Sequence, residues 1–313
     1  LAVDGTIALT THNNGAATVV NDAGLNFAAS TVGGALSATA TTGNITDSGA
    51  LTITGTSTFV TIANDATITL DQGGHAFTGA LLITTNDTST DTAGDVTISA
   101  GSSTVLDFGN STIDGDLIAT SSNATGITDS GAMTVRGTAS FQTTATNADI
   151  SLGTSTLGDG TGTDTITLNT TGSTGHATLD NGTTVVALGT SAASLVTNVG
   201  GNLTLTSGAA AGITDSATVT VGGNLIATTD ANSGVIDLGT LAVDGTIALT
   251  THNNGAATVV NDAGLNFAAS TVGGALSATA TTGNITDSGA LAITGTSTFT
   301  VANGQSVILD ESS

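Results

Sequence analysis

The sequence predicts an all-β fold, a parallel β-helix (β-solenoid) of about 13 coils of roughly 22 residues, and three observations predict it. The first is composition. Thr makes up about a fifth of the 313 residues and Gly contributes 43, while Trp, Tyr, Pro and Cys are absent. β-Branched Thr, Val and Ile favour extended backbone, and Gly, Asn and Asp supply tight turns. The second is a long repeat: residues 1–59 return as residues 241–299 with one difference, Thr52 against Ala292. Packing alone does not hold exposed Thr, Asn and Ser positions that constant, so the identity marks a duplicated repeat. The third is a shorter beat inside the long one, an apolar–x–Gly–x–apolar signature.

That beat begins at Val3-Asp4-Gly5-Thr6-Ile7 and returns at Val32-Gly33-Gly34-Ala35-Leu36 and Ile113-Asp114-Gly115-Asp116-Leu117. It recurs at Val199-Gly200-Gly201-Asn202-Leu203, Val221-Gly222-Gly223-Asn224-Leu225 and Val243-Asp244-Gly245-Thr246-Ile247, with partial copies at Ile53-Thr54-Gly55 and Val135-Arg136-Gly137. Gly201, Gly223 and Gly245 are 22 apart, Gly34 and Gly55 are 21 apart, and Gly115 and Gly137 are 22 apart. The wider gap from Gly5 to Gly34 reads as one coil plus a seven-residue loop around His12-Asn13-Asn14-Gly15, copied at His252 to Gly255. The stretch from Gly137 to Gly201, where the signature blurs, is close to three coils long. A slower motif, Ile45-Thr46-Asp47-Ser48, recurs at Ile127, Ile213 and Ile285, and each spacing amounts to about four coils.

A unit of about 22 residues is too short to fold alone and too rich in β-formers for a helical repeat. Stacking solves this: each coil bonds to its neighbours at the strand spacing of about 4.8 Å. Alternation in Leu203-Thr204-Leu205-Thr206 and Thr218-Val219-Thr220-Val221 turns apolar residues inward and Thr outward. Phe59, Phe141 and Phe299 follow the Gly signature at matching places and read as inward filler. The lack of Pro fits a chain whose strands all need their ladder bonds. One continuous solenoid is expected over 1–313, a rod of about 60 Å, with 1–240 as one repeat unit and 241–313 as the start of the next. Three tandem immunoglobulin-like sandwiches of about 80 residues are the competing architecture, but those cores lean on a buried Trp and a Tyr corner.

Formal net charge is −23, with Arg136 the single Lys or Arg. A nucleic-acid partner needs basic residues to displace counterions, and an anionic membrane surface needs them too, so neither is expected. With 8% charged and 38% hydrophobic residues the chain is no polyacidic disordered tail. No apolar run reaches membrane-spanning length, so no membrane insertion is expected of this segment. A start in mid-repeat at Leu1, without an initiator Met, reads as a segment of a longer protein.

Few residues offer chemistry. Solenoid lyases and hydrolases group carboxylates with Arg or Lys, and here Arg136 stands alone. Asp47, Asp129, Asp215 and Asp287, about four coils apart, are too distant to form a paired-carboxylate site and read as turn residues capping their own backbone. His12, His252, His75 and His176 sit among Thr, Asn and Gly and read as surface residues. Residues 158–166 resemble one calcium-binding nonapeptide of the toxin-repeat type, with Asp159 where Gly is usual. Asp159 and Asp164 are therefore the calcium candidates, although such motifs bind between consecutive copies and one copy is present. Thr-x-Thr triplets such as Thr52-Ile53-Thr54 and Thr204-Leu205-Thr206 raise an ice-binding alternative, yet they keep no fixed phase in the 22-residue beat.

The stretches Gly131-Ala132-Met133-Thr134-Val135-Arg136-Gly137-Thr138-Ala139-Ser140-Phe141 and Gly49-Ala50-Leu51-Thr52-Ile53-Thr54-Gly55-Thr56-Ser57-Thr58-Phe59 resemble repeats of filamentous-haemagglutinin-like adhesins and large bacterial exoproteins. His75-Ala76-Phe77-Thr78-Gly79-Ala80-Leu81 and the Gly-Asn-Leu strands do likewise. The resemblance implies a right-handed β-helix, export across the outer membrane and a role in adhesion, matrix or filament building. The expectation is a non-enzymatic, extracellular structural protein at the bacterial cell surface, an adhesin stalk or filament subunit. Its partners are further repeats of the same chain or copies of itself end to end. A specific adhesin that binds a cell-surface or glycan receptor is the alternative.

Overall fold

Parallel strands bonded to neighbouring coils make up the regular structure of the computed structural model, and among the described residues there is no helix. The structure describes every residue except 87, 89–92, 160–163, 192, 193, 231, 232, 312 and 313. Two compact units, Leu1–Asp159 and Gly160–Ser313, divide the chain. Each is a β-solenoid, and together they carry about 13 turns about 22 residues apart. The second copy of the long repeat, starting at Leu241, falls inside the second unit.

The most regular coils consist of one strand of five residues and two of three, joined by corners. In the first unit Leu36–Ala40, Ile45–Asp47 and Leu51–Ile53 form such a set. In the second unit Leu203–Ser207, Ile213–Asp215 and Val219–Val221 do the same. Alternation works as expected, with Leu36, Ala38 and Ala40 sealed inside while Ser37 and Thr39 point outward. Leu36 pairs with Ser57, Leu203 with Leu225 and Val219 with Leu241. The aliphatic core is filled out by edge-to-face phenylalanines: Phe27, Phe59 and Phe77 have successive centroids 6.2 Å apart, and Phe108 and Phe141 lie 6.4 Å apart. Phe59 and Phe141 are the inward filler the sequence predicts, whereas Phe299 is half-buried.

The glycine beat has a mechanical cause. Gly55 donates its N–H to the Gly34 carbonyl at 2.9 Å, Gly137 to Gly115 at 3.1 Å, and Gly223 and Gly245 to the glycine one coil earlier at 2.9 and 3.0 Å. A Cβ on Gly223 would stand 2.7 Å from the Gly201 carbonyl oxygen, so only glycine permits this approach.

Coil length varies more than the mean suggests. Ala17 pairs with Leu36 across a coil shorter than the beat, while Ile68 pairs with Val96 across a longer one. The longer step moves the pattern round by one face. The five-residue strand Val96–Ala100 lies over the start of Ile68–Phe77, which itself lies over the three-residue strand Ile45–Asp47. A core of stacked aliphatic side chains tolerates this, because it requires only that inward residues meet inward residues.

The seven-residue loop expected at His12 to Gly15 does not exist. Gly34 donates to the Gly15 carbonyl at 2.9 Å, and a Cβ on Gly33 would stand 2.0 Å from the Asn13 carbonyl oxygen. These residues form an ordinary corner of a short coil, turned by Asn13 at φ 55°. Gly5 and Gly34 occupy different columns, since Thr6 already finds its partner one coil on at Asn26. The copy at His252 to Gly255 is the same corner, with Gly274 donating to Gly255 at 2.8 Å.

Candidate functional site

The four repeated aspartates cap the backbone of the next coil rather than their own, which corrects the sequence expectation. Asp129 Oδ1 accepts the Gly153 N–H at 2.8 Å, and its Oδ2 accepts Thr154 N–H at 3.0 Å and Ser155 Oγ at 2.9 Å. Asp215 accepts the N–H groups of Gly239 and Thr240, both at 2.8 Å. Asp287 accepts those of Asp310 and Glu311 at 3.1 and 3.3 Å, and Asp47 accepts that of Asp71 at 3.2 Å. A carboxylate at a corner meets the neighbouring corner because coils stack in register, and the charge-assisted bond ties the two.

A second set of ties runs beside the glycines. Asp95 Oδ1 accepts the Asp116 N–H at 2.9 Å and Asp116 Oδ1 accepts Thr138 N–H at 2.7 Å. In the other unit Asn202 accepts Asn224 N–H at 2.9 Å and Asn224 accepts Thr246 N–H at 2.8 Å. Each acceptor reaches its target through space that a side chain would fill: a Cβ on Gly223 would stand 2.4 Å from Asn202 Oδ1. Burial raises the Asp116 carboxyl above its ordinary value. The sequence signal was present as Asp or Asn directly after the beat glycine.

His75 departs most from expectation. It is fully buried, not a surface residue. A bulge explains this: Leu70 pairs with Ile98, but His75 pairs with Ala100, so Asp71 to Gly74 loop out and inward phase passes from even to odd positions. The Leu51 N–H donates to His75 Nδ1 at 3.0 Å, which places the proton of the neutral ring on Nε2. Nε2 lies 2.9 Å from Asp47 Oδ2, both side chains sealed from solvent. The contact lies off the hydrogen-bonding direction, so its attraction is mainly Coulombic. Burial pushes His75 below its ordinary value of 6.5 and Asp47 above 3.8, so desolvation outweighs their mutual attraction. The ring stacks on Phe77 at 5.5 Å. Sealed in this way, the pair has no face open to a substrate.

The remaining candidates lie on the surface. His12, His176 and His252 are exposed. Arg136 lies 3.4 Å from Asp114. Asp159 is exposed in the first unit and Asp164 half-buried in the second, and the intervening residues 160–163 of the calcium motif lie outside the described residues. Among the described residues no three His, Cys, Asp or Glu group to hold a metal ion. An outward column of Thr206, Thr228, Thr250 and Thr271 runs beside Thr204, Ile226 and Ala248, so threonines stand side by side in only one of those three coils. One open groove recurs: Asp4, Gly24, Asn26, Asn44 and Thr46 line about 370 Å³, and Asp244, Gly264, Asn266, Asn284 and Thr286 line about 350 Å³ in the second copy.

A family model described as Repeats of unknown function (DUF5649) matches residues 14–84 and again residues 254–313. The two matches begin at the same point of the duplicated sequence, one in each copy. The chain is thus similar to these repeats over two separate stretches. No curated protein and no solved structure matches it.

Proposed function

We propose that the chain is a non-enzymatic structural segment of an extracellular protein, a stalk or filament in which length grows by adding coils. The observation that carries this reading is where the bonding capacity goes. The beat glycines donate their N–H groups to the coil before, and the repeated corner carboxylates and amides accept from the coil after, so stability accumulates along the stack. The resemblance to filamentous-haemagglutinin-like adhesins supports the same role at a bacterial cell surface. Negative-stain imaging of the purified chain tests it: thin particles of constant width are expected, and compact round particles would refute it.

Receptor binding is the second reading, favoured by the groove that recurs with identical residues at Asp4 and Asp244. Carboxylate, amide and hydroxyl groups over a glycine floor suit a hydroxyl-rich glycan. A glycan array probed with the chain and with the Asp4→Ala, Asp244→Ala double variant decides: signal lost in the variant supports the groove, and absence of signal in both removes it.

A further inference from the structure

The same amide oxygen is left without a donor in both copies of the long repeat. Asn26 Oδ1 and Asn266 Oδ1 are shut off from solvent, and no group among the described residues donates to either. Each lies in the middle of a strand of identical sequence, Leu25–Phe27 and Leu265–Phe267. Strand Leu106–Phe108 has the same layout with Asp107 in the middle, and there the next coil supplies the donors. Thr128 Oγ1 donates to Asp107 Oδ1 at 3.1 Å, and Ser130 Oγ to Oδ2 at 2.7 Å. One coil beyond Asn26 and Asn266 the hydroxyls turn to the backbone instead. Ser48 and Ser288 Oγ donate to the carbonyls of Phe27 and Phe267, both at 3.3 Å, and Thr46 Oγ1 to that of Leu25 at 3.3 Å. A sheltered acceptor without a donor costs stability unless a group from outside the chain partners it.

Both asparagines line the recurring groove, beside Asp4 in one copy and Asp244 in the other. Three successive coils build it: Asp244 comes from the first, Gly264 and Asn266 from the second, and Asn284 and Thr286 from the third. Strand Val219–Val221 lies against Leu241–Val243, so the second groove stands inside the stack. Asp4 and Asp244 are exposed. Among the described residues the ion pairs join His75 to Asp47 and Arg136 to Asp114, which leaves both groove carboxylates without a countercharge. The groove thus holds an uncompensated carboxylate and an amide oxygen that lacks a donor, and it holds them twice.

We propose that each groove binds one calcium ion, held by the carboxylate of Asp4 or Asp244 and the amide oxygen of Asn26 or Asn266. Calcium accepts carboxylate, amide, carbonyl and water oxygens in flexible geometry, which suits ligands drawn from separate coils. A single carboxylate per site places the affinity in the weak range of extracellular modules, about 0.1–1 mM. Bound there, the ion ties consecutive coils together, so it adds to the stack on which the structural reading rests. The site is separate from the calcium candidates Asp159 and Asp164. It shares its groove with the receptor reading but not its ligand. Ion binding is measured with no glycan present, so either can fail alone.

Calorimetric titration of the chain with calcium at physiological salt is expected to show two sites, and saturation to raise the melting temperature. Asp244→Asn is expected to leave one site. Asp4→Asn with Asp244→Asn is expected to weaken binding by about tenfold or more and to abolish the rise in melting. Asn26→Ala with Asn266→Ala is expected to lose the ion as well, with no fall in melting when calcium is absent, because the amide oxygen it removes bonds to nothing. Asp237 is exposed and stands outside the groove, so Asp237→Asn makes the same change of charge and is expected to keep both sites. Absence of saturable binding overturns the proposal, as do two sites that survive in the Asp4→Asn, Asp244→Asn variant. Equal weakening by Asp237→Asn would reduce the effect to diffuse attraction by a chain of net charge −23 and overturn it too. Loss of the sites in Asp159→Asn with Asp164→Asn, in place of the groove variants, would do the same.

Discussion

Residues 1–59 and 241–299 differ at one position and share their strands from Ala17 to Ile53 and from Ala257 to Ile293, yet their cores are unlike. Leu249 is sealed and Leu9 half-buried, while Phe59 is sealed and Phe299 half-buried. Several bonds internal to the repeat are the same in both copies. Val3 donates its N–H to Asn21 Oδ1 at 3.0 Å, and Val243 to Asn261 Oδ1 at 2.8 Å. Each buried Asn also donates Nδ2 to a carbonyl three residues on, Gly24 and Gly264, at 2.7 Å. A coil therefore carries its own shape but not its own interior, since an inward side chain is removed from water only when coils lie on both sides of it.

The largest test of that contrast is a paired truncation. Leu249→Ala is expected to destabilise by about 2–5 kcal/mol through lost burial and a cavity, and Leu9→Ala by clearly less, in denaturant titrations. Equal losses would break the comparison. Glycine substitution sharpens it from the backbone side. Gly245→Ala forces a Cβ against the Gly223 carbonyl and is expected to cost about 1–3 kcal/mol, while Gly5→Ala leaves the melting temperature where it was.

Corner caps should follow the same gradient. Asp215→Ala strips three bonds of 2.8 Å, from the Gly239 and Thr240 N–H groups and Thr240 Oγ1, and is expected to cost about 1–3 kcal/mol, more than Asp287→Ala, whose bonds are 3.1 and 3.3 Å. A larger loss at Asp287 would show that bond length is no guide to these ties.

The smallest effect is pH dependence, and it belongs to the first copy, where Asp47 meets His75. The folded His75 binds its proton less readily than the unfolded one, so stability falls as pH drops below the unfolded value of 6.5. Asp47 works in the opposite sense: raised above 3.8, it takes up a proton earlier in the folded chain, and part of the loss returns as pH nears the carboxylate range. The loss just below pH 6.5 is expected to flatten in His75→Asn. A native chain equally stable from pH 7 to pH 5 would contradict the buried neutral ring.

The glycine beat was readable because one coil repeats the requirement of the last, a backbone approach that excludes Cβ. The aspartates were visible as a motif, but their partners were not, because a bond to the residue 24 positions on depends on local coil length. The burial of His75 is hidden in the sequence for a related reason. It follows from the outward excursion of Asp71 to Gly74, which shifts strand phase and shows in the sequence only as the Asp71-Gln72-Gly73-Gly74 break in the alternation. The corner at His12 mimics an insertion because Gly5 and Gly34 carry the same signature in different columns.

Alternation, turn residues and periodicity were enough to establish parallel stacking and an aliphatic interior, because these depend on near neighbours and recur with every coil. Which strand lies over which, and which carboxylate meets which amide, were settled only in three dimensions. Those outcomes depend on contacts between residues a whole coil apart, from the short step of Ala17 to Leu36 to the long one of Asn169 to Asn198. A change of a few residues in one coil redirects every such contact beyond it.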